Sequence, residues 1–448
     1  MVALNNESTD MLENYQNHIA VLQRKTAKLL QEQSLDALII HSGQLRMAFL
    51  DDHAYPYKVN PHFKHWLPLT NNPNCCLVVN GRDKPKLIFY RPTDFWHKVP
   101  DEPTDFWVDY FDIVYLQKTE QLADLLPSDR GKMVFIGEEV ELAKGLGFEQ
   151  INPSAVLDYL HYHRSVKTAY ELECMRKATG IAVTGHYAAQ AAFYEGESEF
   201  DINQSYLTAV RQGDNQIPYS NIVALNENAA ILHYTVLQKE ARNTDELKSF
   251  LLDAGADFNG YAADITRTYS YHEDEFSELI TALNEQQLQL CQQIKVGIPY
   301  LDLHLDMHLK IGSLLKAFGF INTSAEDAVA SGLTSTFYPH GLGHFLGLQV
   351  HDVAGFMQDE KGTHLAAPAA HAHLRCMRTI EAGQVFTIEP GLYFIPSLLA
   401  KLKSSAMAKT INWQKVEAFM PYGGIRIEDN LIVHADHVEN MTRDAGLK

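Results

Sequence analysis

The chain is poor in basic residues and contains no long apolar run. Lys and Arg number 37 against 56 Asp and Glu, and the formal net charge is -19. This balance argues against a nucleic-acid partner, because phosphate binding requires a basic face. No run of about 18 apolar residues is present, and the first residues lack the basic and apolar regions of a signal peptide. We therefore expect a cytoplasmic protein that has no membrane partner.

Cysteines are also few, and they are widely scattered. The five are Cys75, Cys76, Cys174, Cys291 and Cys376, and they form no C-x-x-C pair. Their odd number and spacing predict reduced core thiols rather than disulfides or a thiolate metal site. The sequence also lacks a glycine-rich phosphate loop and any low-complexity stretch.

The length of 448 residues and a hydrophobic fraction of 46% predict two folded domains. Apolar residues at helical spacing predict an amphipathic helix from Ser8 to about Gln33. Five short β-rich runs follow: "LDALIIHSG", "NCCLVVNG", "PKLIFY", "FDIVYL" and "MVFIG". This order is typical of a small α/β domain, which we place at residues 1–166.

From residue 167 to residue 448 the pattern changes to helices followed by strands, twice over. Long helices are predicted over residues 167–194 and again between residues 278 and 318, each group followed by β-rich stretches. The order suggests an α+β domain built from two similar halves, although no sequence repeat is detectable.

The stretch "SFLLDAGADFNGYAADITRTYS" predicts a hairpin that carries two acids among apolar residues. The Asn259-Gly260 pair is a strong two-residue turn signal, and with that turn Asp253 lies opposite Thr266. Sliding the turn by one residue pairs Asp253 with Asp264 instead. In either register the two acids share one face, because strand side chains alternate with period two. Two buried carboxylates that close require a proton or a cation between them.

Three further stretches carry polar groups among apolar neighbours. "PHGLGHFLGLQVHD" contains His340, His344 and His351 between glycines, and imidazole suits first-row metals. "VFTIEPGLYF" and "GGIRIEDNLIV" place Glu389 and Glu428 where a strand would carry Val or Ile. Two Asp, two Glu and one of the three histidines could hold two divalent ions, for which we expect Mn2+, with Co2+ or Zn2+ as alternatives. Such a pair favours hydrolysis.

The motifs "LLDAGA", "ADITRT", "HGLGHFLGLQVHD", "TIEPGLY" and "GIRIED" occur in this order. They resemble the pita-bread dinuclear metallopeptidases, and most closely the Xaa-Pro dipeptidases, or prolidases. "FLDDHAYPYKVNPHFKHWLP" and "KPKLIFYRPTDFWHKVP" in the first domain are similar to the bacterial subgroup also called organophosphorus acid anhydrolases. The resemblance covers essentially the whole chain.

The resemblance implies a site residue by residue. The implied metal ligands are Asp253, Asp264, His344, Glu389 and Glu428. Asp264 and Glu428 would bridge both ions, and Glu389 would shuttle the proton from the attacking water. Thr266 would contact a metal-binding carboxylate and hold it in position. His340 and His351 would stabilise the tetrahedral intermediate and the substrate.

For the substrate, the resemblance implies that His233 lies near its carboxylate end and that Arg375 grips the free carboxylate of the C-terminal proline. Arg426 would lie at the site, either as a substrate group or in an ion pair with an acidic ligand. The pocket residues implied by the subgroup are Tyr219, Tyr300, Val350 and Leu374, and Asp52 would reach a neighbouring subunit's site. A homodimer or higher homo-oligomer is therefore expected.

The implied function is hydrolysis of Xaa-Pro dipeptides by a hydroxide held between two divalent ions, with incidental cleavage of P–F and P–O bonds. One alternative is an Xaa-Pro aminopeptidase that acts on longer peptides. Another is a metal-free binding module on the same fold, which the presence of an acid or a histidine at all five ligand positions disfavours. The sequence assigns no role to the segments 360–372 and 400–415.

Overall fold

The computed structural model describes residues 2–448, with side chains from residue 10 onward, and divides into two compact units. The first unit comprises the residues up to 174 together with 259–261 and 359–362. The second comprises 175–258, 262–358 and 363–448. The domain division proposed from the sequence, 1–166 and 167–448, stays a prediction.

The first unit is built on a six-stranded mixed sheet in the order β4-β3-β2-β1-β5-β6. Its strands are β1 Ala37–His41, β2 Cys76–Val79, β3 Lys86–Tyr90, β4 Asp112–Leu116, β5 Met133–Ile136 and β6 Gln150–Ile151. The five predicted β-rich runs are confirmed as β1 to β5. Strand β6 has only two residues, which is too short to show an alternating pattern. The central strands β1 and β5 are buried along their whole length.

Helices cover this sheet. They are α1 Val2–Gln33, α2 Pro61–Lys64, α3 Leu122–Leu125, α4 Val140–Gly145 and α5 Ser154–Arg164. The first helix ends at Gln33 as predicted but begins earlier than the predicted Ser8. Tyr15, Ile19, Leu22 and Leu29 are buried, as expected for one apolar face.

The second unit repeats a pattern of helices followed by a three-stranded antiparallel sheet. In the first half α6 Ala169–Tyr194 and α7 Glu199–Val210 precede β7 Ile222–Leu225, β8 Ser249–Ala254 and β11 Ile265–Ser270, which pair in the order β11-β8-β7. The short strands β9 Asp257–Phe258 and β10 Tyr261–Ala262 flank the turn between β8 and β11.

The second half also begins with helices before its first strand, and three further helices come later in the chain. Its helices are α8 Glu275–Gln293, α9 Tyr300–Ala317, α10 Ala325–Ala330, α11 Thr334–Phe337, α12 Pro396–Lys403, α13 Trp413–Phe419 and α14 Met441–Asp444. Its strands are β12 Val385–Ile388, β13 Gly391–Tyr393, β14 Gly424–Arg426, β15 Asp429–Val433 and β16 Val438–Asn440. Strands β12, β15 and β16 form the second three-stranded sheet, so each of the two predicted halves contains one such sheet.

The Asn259-Gly260 turn forms as the sequence predicts. Both residues have positive φ angles, 54° and 86°, which the favoured two-residue hairpin turn requires. Strands β8 and β11, which precede and follow this turn, pair Asp253 with Thr266 and Ala254 with Ile265. The first of the two registers considered from the sequence is therefore the one that forms.

Two findings bear on the class of protein. Within residues 2–448, none of the helices combines the length and the apolar character that a membrane crossing requires. All five cysteines are free and buried, as the sequence predicted.

Candidate metal centre and active site

The register of β8 and β11 places Asp253 and Asp264 at one end of the first half. The Tyr219 hydroxyl lies 2.8 Å from Asp253 Oδ1 and 2.5 Å from Asp264 Oδ1, so the two carboxylates meet at one phenol. A hydroxyl has one proton and can donate to only one of them at a time. The two acids therefore converge, as the strand pattern predicted.

Glu389 and Glu428 come from the second half, and here the structure corrects the sequence. Neither lies inside a strand: Glu389 follows β12, and Glu428 occupies the break between β14 and β15. Each remains held by its backbone, since Glu389 N–H donates to Leu342 O at 2.7 Å and Glu428 N–H to Thr266 O at 3.0 Å. An interrupted ladder frees a side chain from strict alternation between the two faces.

His344 is the histidine that joins these acids. Its Nε2 lies 3.4 Å from Asp264 Oδ2, 3.6 Å from Glu389 Oε1 and 3.9 Å from Glu428 Oε1. Its Nδ1 lies 3.0 Å from Phe345 O, which orients the ring with Nε2 toward the carboxylates. Of the three histidines left open by the residue pattern, His344 is thus the one enclosed by acids.

The backbone before His344 can approach so closely only because residue 343 is glycine. A Cβ at Gly343 would lie 2.1 Å from Thr387 O and 2.4 Å from the Tyr300 hydroxyl, closer than any real contact. The spacing of glycines and histidines in "HGLGH" therefore has a direct steric reason.

The donor set fits divalent cations. Asp264, His344 and Glu428 each offer one ligand atom, and these atoms lie within 4.8 Å of one another. Glu428 Oε1 is buried and has no hydrogen-bond partner among the described residues. Burial and the neighbouring acids raise the pKa of Glu428 well above its usual value and that of Glu389 to about 7. A cation among these oxygens would offset both the burial and the repulsion.

Arg426 forms the ion pair that was one of its two predicted roles. Its guanidinium donates to Asp253 Oδ2 at 2.7 Å and to the Tyr393 hydroxyl at 2.9 Å. Behind the acids, the Thr266 hydroxyl donates to Glu428 Oε2 at 2.9 Å. These contacts hold two of the candidate ligands in position, so the arginine and the threonine act through the carboxylates they touch.

His340 and His351 lie on either side of this group. His340 Nε2 is 2.9 Å from the Tyr393 hydroxyl, and its Nδ1 is 3.8 Å from Glu389 Oε2. The His351 ring packs edge-on against His344 with ring centroids 4.3 Å apart, and it is exposed. Tyr393 was not predicted as a site residue from the sequence. Its only distinguishing feature there is its position in a short strand that follows the candidate ligand Glu389.

One pocket of the second unit gathers most of the predicted residues. The candidate residues that line it are His233, Asp253, Asp264, His340, His344, His351, Leu374, Arg375, Glu389, Arg426 and Glu428. Its apolar wall includes Leu232, Phe356, Ile395 and Leu398. A cluster of acids beside an exposed arginine suits a small substrate that carries both an amine and a carboxylate.

Five candidates are not among these lining residues. Tyr219 and Thr266 contact the candidate ligands Asp253 and Glu428, and the other three are Tyr300, Val350 and Asp52. Tyr300 is fully buried, and its hydroxyl donates to Thr387 O at 2.8 Å. Val350 is half-buried and is not among the residues that line the pocket. Asp52 is exposed in a loop of the first unit, between the bridged residues Met47 and Ala54.

Comparison with known proteins agrees with this geometry. Residues 13–162 match the Xaa-Pro dipeptidase N-terminal domain family, and residues 173–435 match metallopeptidase family M24. The chain belongs to metallopeptidase family M24. The expected two-part architecture, with a pita-bread catalytic part, is thereby confirmed. Membership of family M24 also implies divalent metal ions.

Curated relatives cover nearly the full length of this M24 chain. It is 58% identical over 431 residues to the Xaa-Pro dipeptidase of Pseudoalteromonas haloplanktis, spanning 96% of this chain and 98% of the relative. It is 57% identical over 433 residues to the Xaa-Pro dipeptidase of Shewanella piezotolerans, spanning 97% and 98%.

Solved structures of the M24 fold are more distant in sequence. Zinc-substituted Escherichia coli aminopeptidase P in complex with product matches with a TM-score of 0.72 at 22% identity, over 95% of this chain and 96% of that one. Proline aminopeptidase P II from Yersinia pestis matches with a TM-score of 0.71 at 22% identity, over 98% and 97%. These likenesses show the fold alone.

Proposed function

We propose that this M24 protein hydrolyses Xaa-Pro dipeptides that end in proline. The observation that carries the proposal is the pocket in which five candidate metal ligands face Arg375 and His233. The relatives at 55–58% identity that are named Xaa-Pro dipeptidase support the same assignment.

The proposed metal ligands are Asp253, Asp264, His344, Glu389 and Glu428. Four carboxylates and one imidazole are enough donors for two divalent ions, and an oxygen-rich set favours Mn2+, with Co2+ or Zn2+ as alternatives. When bound, such a pair lowers the pKa of a water molecule and polarises the scissile carbonyl. As the resemblance to the family implies, Asp264 and Glu428 would be the ligands shared by both ions.

Glu389 is proposed to carry the proton from the attacking water to the leaving proline nitrogen. A carboxylate can accept a proton from water and release it again, and Glu389 lies in the pocket beside the other candidate ligands. It is also partly open to the pocket, with 17% of its side chain exposed. A carboxylate that was fully buried by neighbouring side chains could not contact the substrate.

His340 and His351 are proposed to stabilise the oxyanion that develops on the scissile carbonyl. The Tyr393 hydroxyl fixes the orientation of His340. Arg375 is proposed to bind the substrate carboxylate, and His233 to lie near it. Leu374 belongs to the same wall, and Tyr219, Tyr300 and Val350 remain proposed pocket residues.

A peptide bond that precedes proline calls for a dedicated enzyme. It has no N–H, and the ring fixes the local backbone, so peptidases that bind an extended chain fit it poorly. The positive charge of Arg375 would limit the length of the substrate. It pairs with a free carboxylate, which the proline carries only when it is the last residue of a dipeptide.

Metal removal tests the proposal. We expect chelator-treated protein to lose Leu-Pro hydrolysis and to regain it when Mn2+ is added back, because the pocket acids alone cannot activate a water molecule in the way that a cation does. The measurement is the rate of proline release before chelation, after chelation and after restoration. Hydrolysis that is indifferent to chelation would instead favour a metal-independent role.

We also propose incidental hydrolysis of organophosphorus P–F and P–O bonds. A phosphorus centre under attack resembles the tetrahedral intermediate of amide hydrolysis, and the apolar wall around Phe356 and Leu398 would accept ester groups. The same chelation and restoration series on a phosphotriester tests this proposal.

Two alternatives are weaker. An Xaa-Pro aminopeptidase that acts on longer peptides would need an open pocket beyond the proline, where Arg375 is proposed to bind the substrate carboxylate. A metal-free binding module would have no use for Glu428 Oε1, which is buried without a hydrogen-bond partner among the described residues. We therefore retain the dipeptidase as the proposal, and a cytoplasmic location is proposed from the free cysteines and composition.

A homodimer is proposed from the loops of the first unit. Phe49 and Leu50 beside Asp52 are 86% and 91% exposed, and Phe95 and Trp96 are 85% and 80% exposed. Large apolar side chains concentrated on a few loops mark an interaction surface. We propose that a second copy covers them and that Asp52 contributes to the partner's site.

Subunit complementation tests this arrangement. Asp52→Ala should lower activity, and mixing it with inactive Asp264→Asn after dissociation and reassociation should restore about a quarter of the wild-type rate. Half of randomly formed dimers are mixed, and each has one complete site. An unchanged rate in Asp52→Ala alone, or no gain on mixing, would contradict the proposal.

A further inference from the structure

Three histidines of the second unit form a cluster that the proposed reaction does not use. His304 and His308 lie one turn apart on α9, and His371 ends the short 3-10 helix Ala369–His371. Each ring offers one nitrogen, and the three nitrogens lie within 4.8 Å of one another. His304 and His308 are each only 1% exposed, whereas His371 is half-buried.

The spacing of the rings is close to that of a metal site. His304 Nε2 lies 2.9 Å from His371 Nδ1, and the ring centroids of His371 are 4.6 Å from His304 and 4.8 Å from His308. Around a tetrahedral zinc ion, with Zn–N bonds of about 2.0 to 2.1 Å, ligand nitrogens lie about 3.3 Å apart. Small side-chain movements would therefore bring all three nitrogens onto one ion.

The surroundings of the cluster also suit a metal. His308 Nδ1 lies 2.9 Å from the Thr334 hydroxyl, which fixes the ring and leaves Nε2 available. A helix that presents two histidines at i and i+4 with a third from a separate segment is an arrangement found in zinc proteins.

The rings are neutral at neutral pH, which is the form that binds metals. Burial, with a smaller contribution from the neighbouring histidines, lowers the pKa of His304 to about 2 and that of His308 to about 4. The cluster contains no carboxylate, so its three imidazole ligands would not neutralise the positive charge of a bound ion.

We propose that His304, His308 and His371 form an additional metal site that takes Zn2+ or a similar late first-row ion. Three imidazole nitrogens without a carboxylate favour Zn2+, Co2+ or Ni2+ over Mn2+ and Mg2+, whereas the carboxylate-rich pocket also suits Mn2+. The two sites therefore differ in chemistry as well as in residues.

The site would tie one wall of the pocket to helix α9. His371 O accepts from Leu374 N–H at 3.0 Å, and both Leu374 and Arg375 line the pocket. On the other side, the Tyr338 ring lies 4.9 Å from His308 and 5.1 Å from His340. An ion on the three histidines would fix the turn that ends at Leu374.

Counting zinc tests the site directly. Metal-free protein of the full chain, dialysed against excess Zn2+ and analysed for bound metal, should hold one more equivalent than His371→Ala. The control is His364→Ala, which removes an exposed histidine from the same segment and should bind as much Zn2+ as the wild type. Equal zinc content in the wild type and His371→Ala would overturn the proposal.

Two further variants separate zinc ligation by the cluster from effects on packing and on the carboxylate-rich pocket. His308→Gln keeps a buried polar side chain but should also lose one equivalent, while circular dichroism shows whether the fold is intact. In Asp264→Asn the carboxylate-rich site should lose metal while the difference caused by His371→Ala persists. The additional site can therefore be rejected or retained whether or not the proposed hydrolysis is found.

The identity of the ligands has its own readout. Co2+ added to metal-free protein should give visible absorption typical of a nitrogen-rich, four-coordinate ion, and that part of the spectrum should disappear in His371→Ala. The spectrum of His364→Ala should match the wild type. A Co2+ spectrum identical in all three proteins would overturn the proposal.

Discussion

Asp264→Asn is expected to reduce kcat for Leu-Pro by at least about a thousandfold, together with loss of the divalent metal content of the pocket. Asp264 is buried, and its two oxygens face Tyr219 at 2.5 Å and His344 at 3.4 Å. An amide keeps the shape of the side chain but removes the negative charge and one of the oxygen acceptors. The measurements are steady-state hydrolysis and bound metal per chain.

The control for this prediction is Asp245→Asn, which makes the same chemical change at an exposed position of the second unit. Its activity and metal content should equal those of the wild type. Asp264→Asn protein that is folded by circular dichroism and retains both metal and hydrolysis would show that this carboxylate is not a ligand, and the bridging role would be lost with it.

Arg375→Ala is expected to raise KM for Leu-Pro by about 10- to 100-fold, because a charge-assisted hydrogen bond contributes about 1.5 to 3 kcal/mol. The effect on a Leu-Pro-Xaa tripeptide should be much smaller, since its proline carries no free carboxylate. The ratio of the two kcat/KM values should therefore move toward the tripeptide. This shift in ratio measures length selection, which a general loss of stability would not change.

Arg375→Lys provides the matched comparison. A lysine retains the charge but not the planar fork, so it should recover part of the Leu-Pro affinity and most of the preference for dipeptides. If the alanine variant leaves both KM and the ratio unchanged, Arg375 does not set substrate length. The aminopeptidase alternative would then become the better interpretation of the pocket.

Much of the fold follows from local patterns in the sequence. The strands β1 to β5 and the helix that ends at Gln33 are predicted because apolar periodicity and turn residues act over a few positions. The Asn259-Gly260 turn was predicted for the same reason, since a tight turn depends on two residues that tolerate positive φ. The pairing of strands across that turn needed the structure, because sliding the turn by one residue shifts the pairing by two positions and so keeps both acids on one face.

The metal ligands show where local reasoning ends. Four acids could be picked out because ionised groups are costly among apolar neighbours. Among the three histidines of "HGLGHFLGLQVH", however, only family resemblance selected His344. The structure encloses that ring within 4 Å of three carboxylates that come from separate segments. The prediction that Glu389 and Glu428 lie inside strands was wrong for a related reason. Where a strand is interrupted depends on the segments that pack against it.

Local patterns along the chain were enough to predict the two-part organisation and the converging acids, and the resemblance of its motifs indicated the family. The folded chain was needed to show that Arg426 pairs with Asp253, that Tyr393 orients His340, and that His371 meets His304 and His308 from 63 to 67 positions away. Such contacts join segments that no local pattern relates. They exist because packing the second half brings distant segments to the same place.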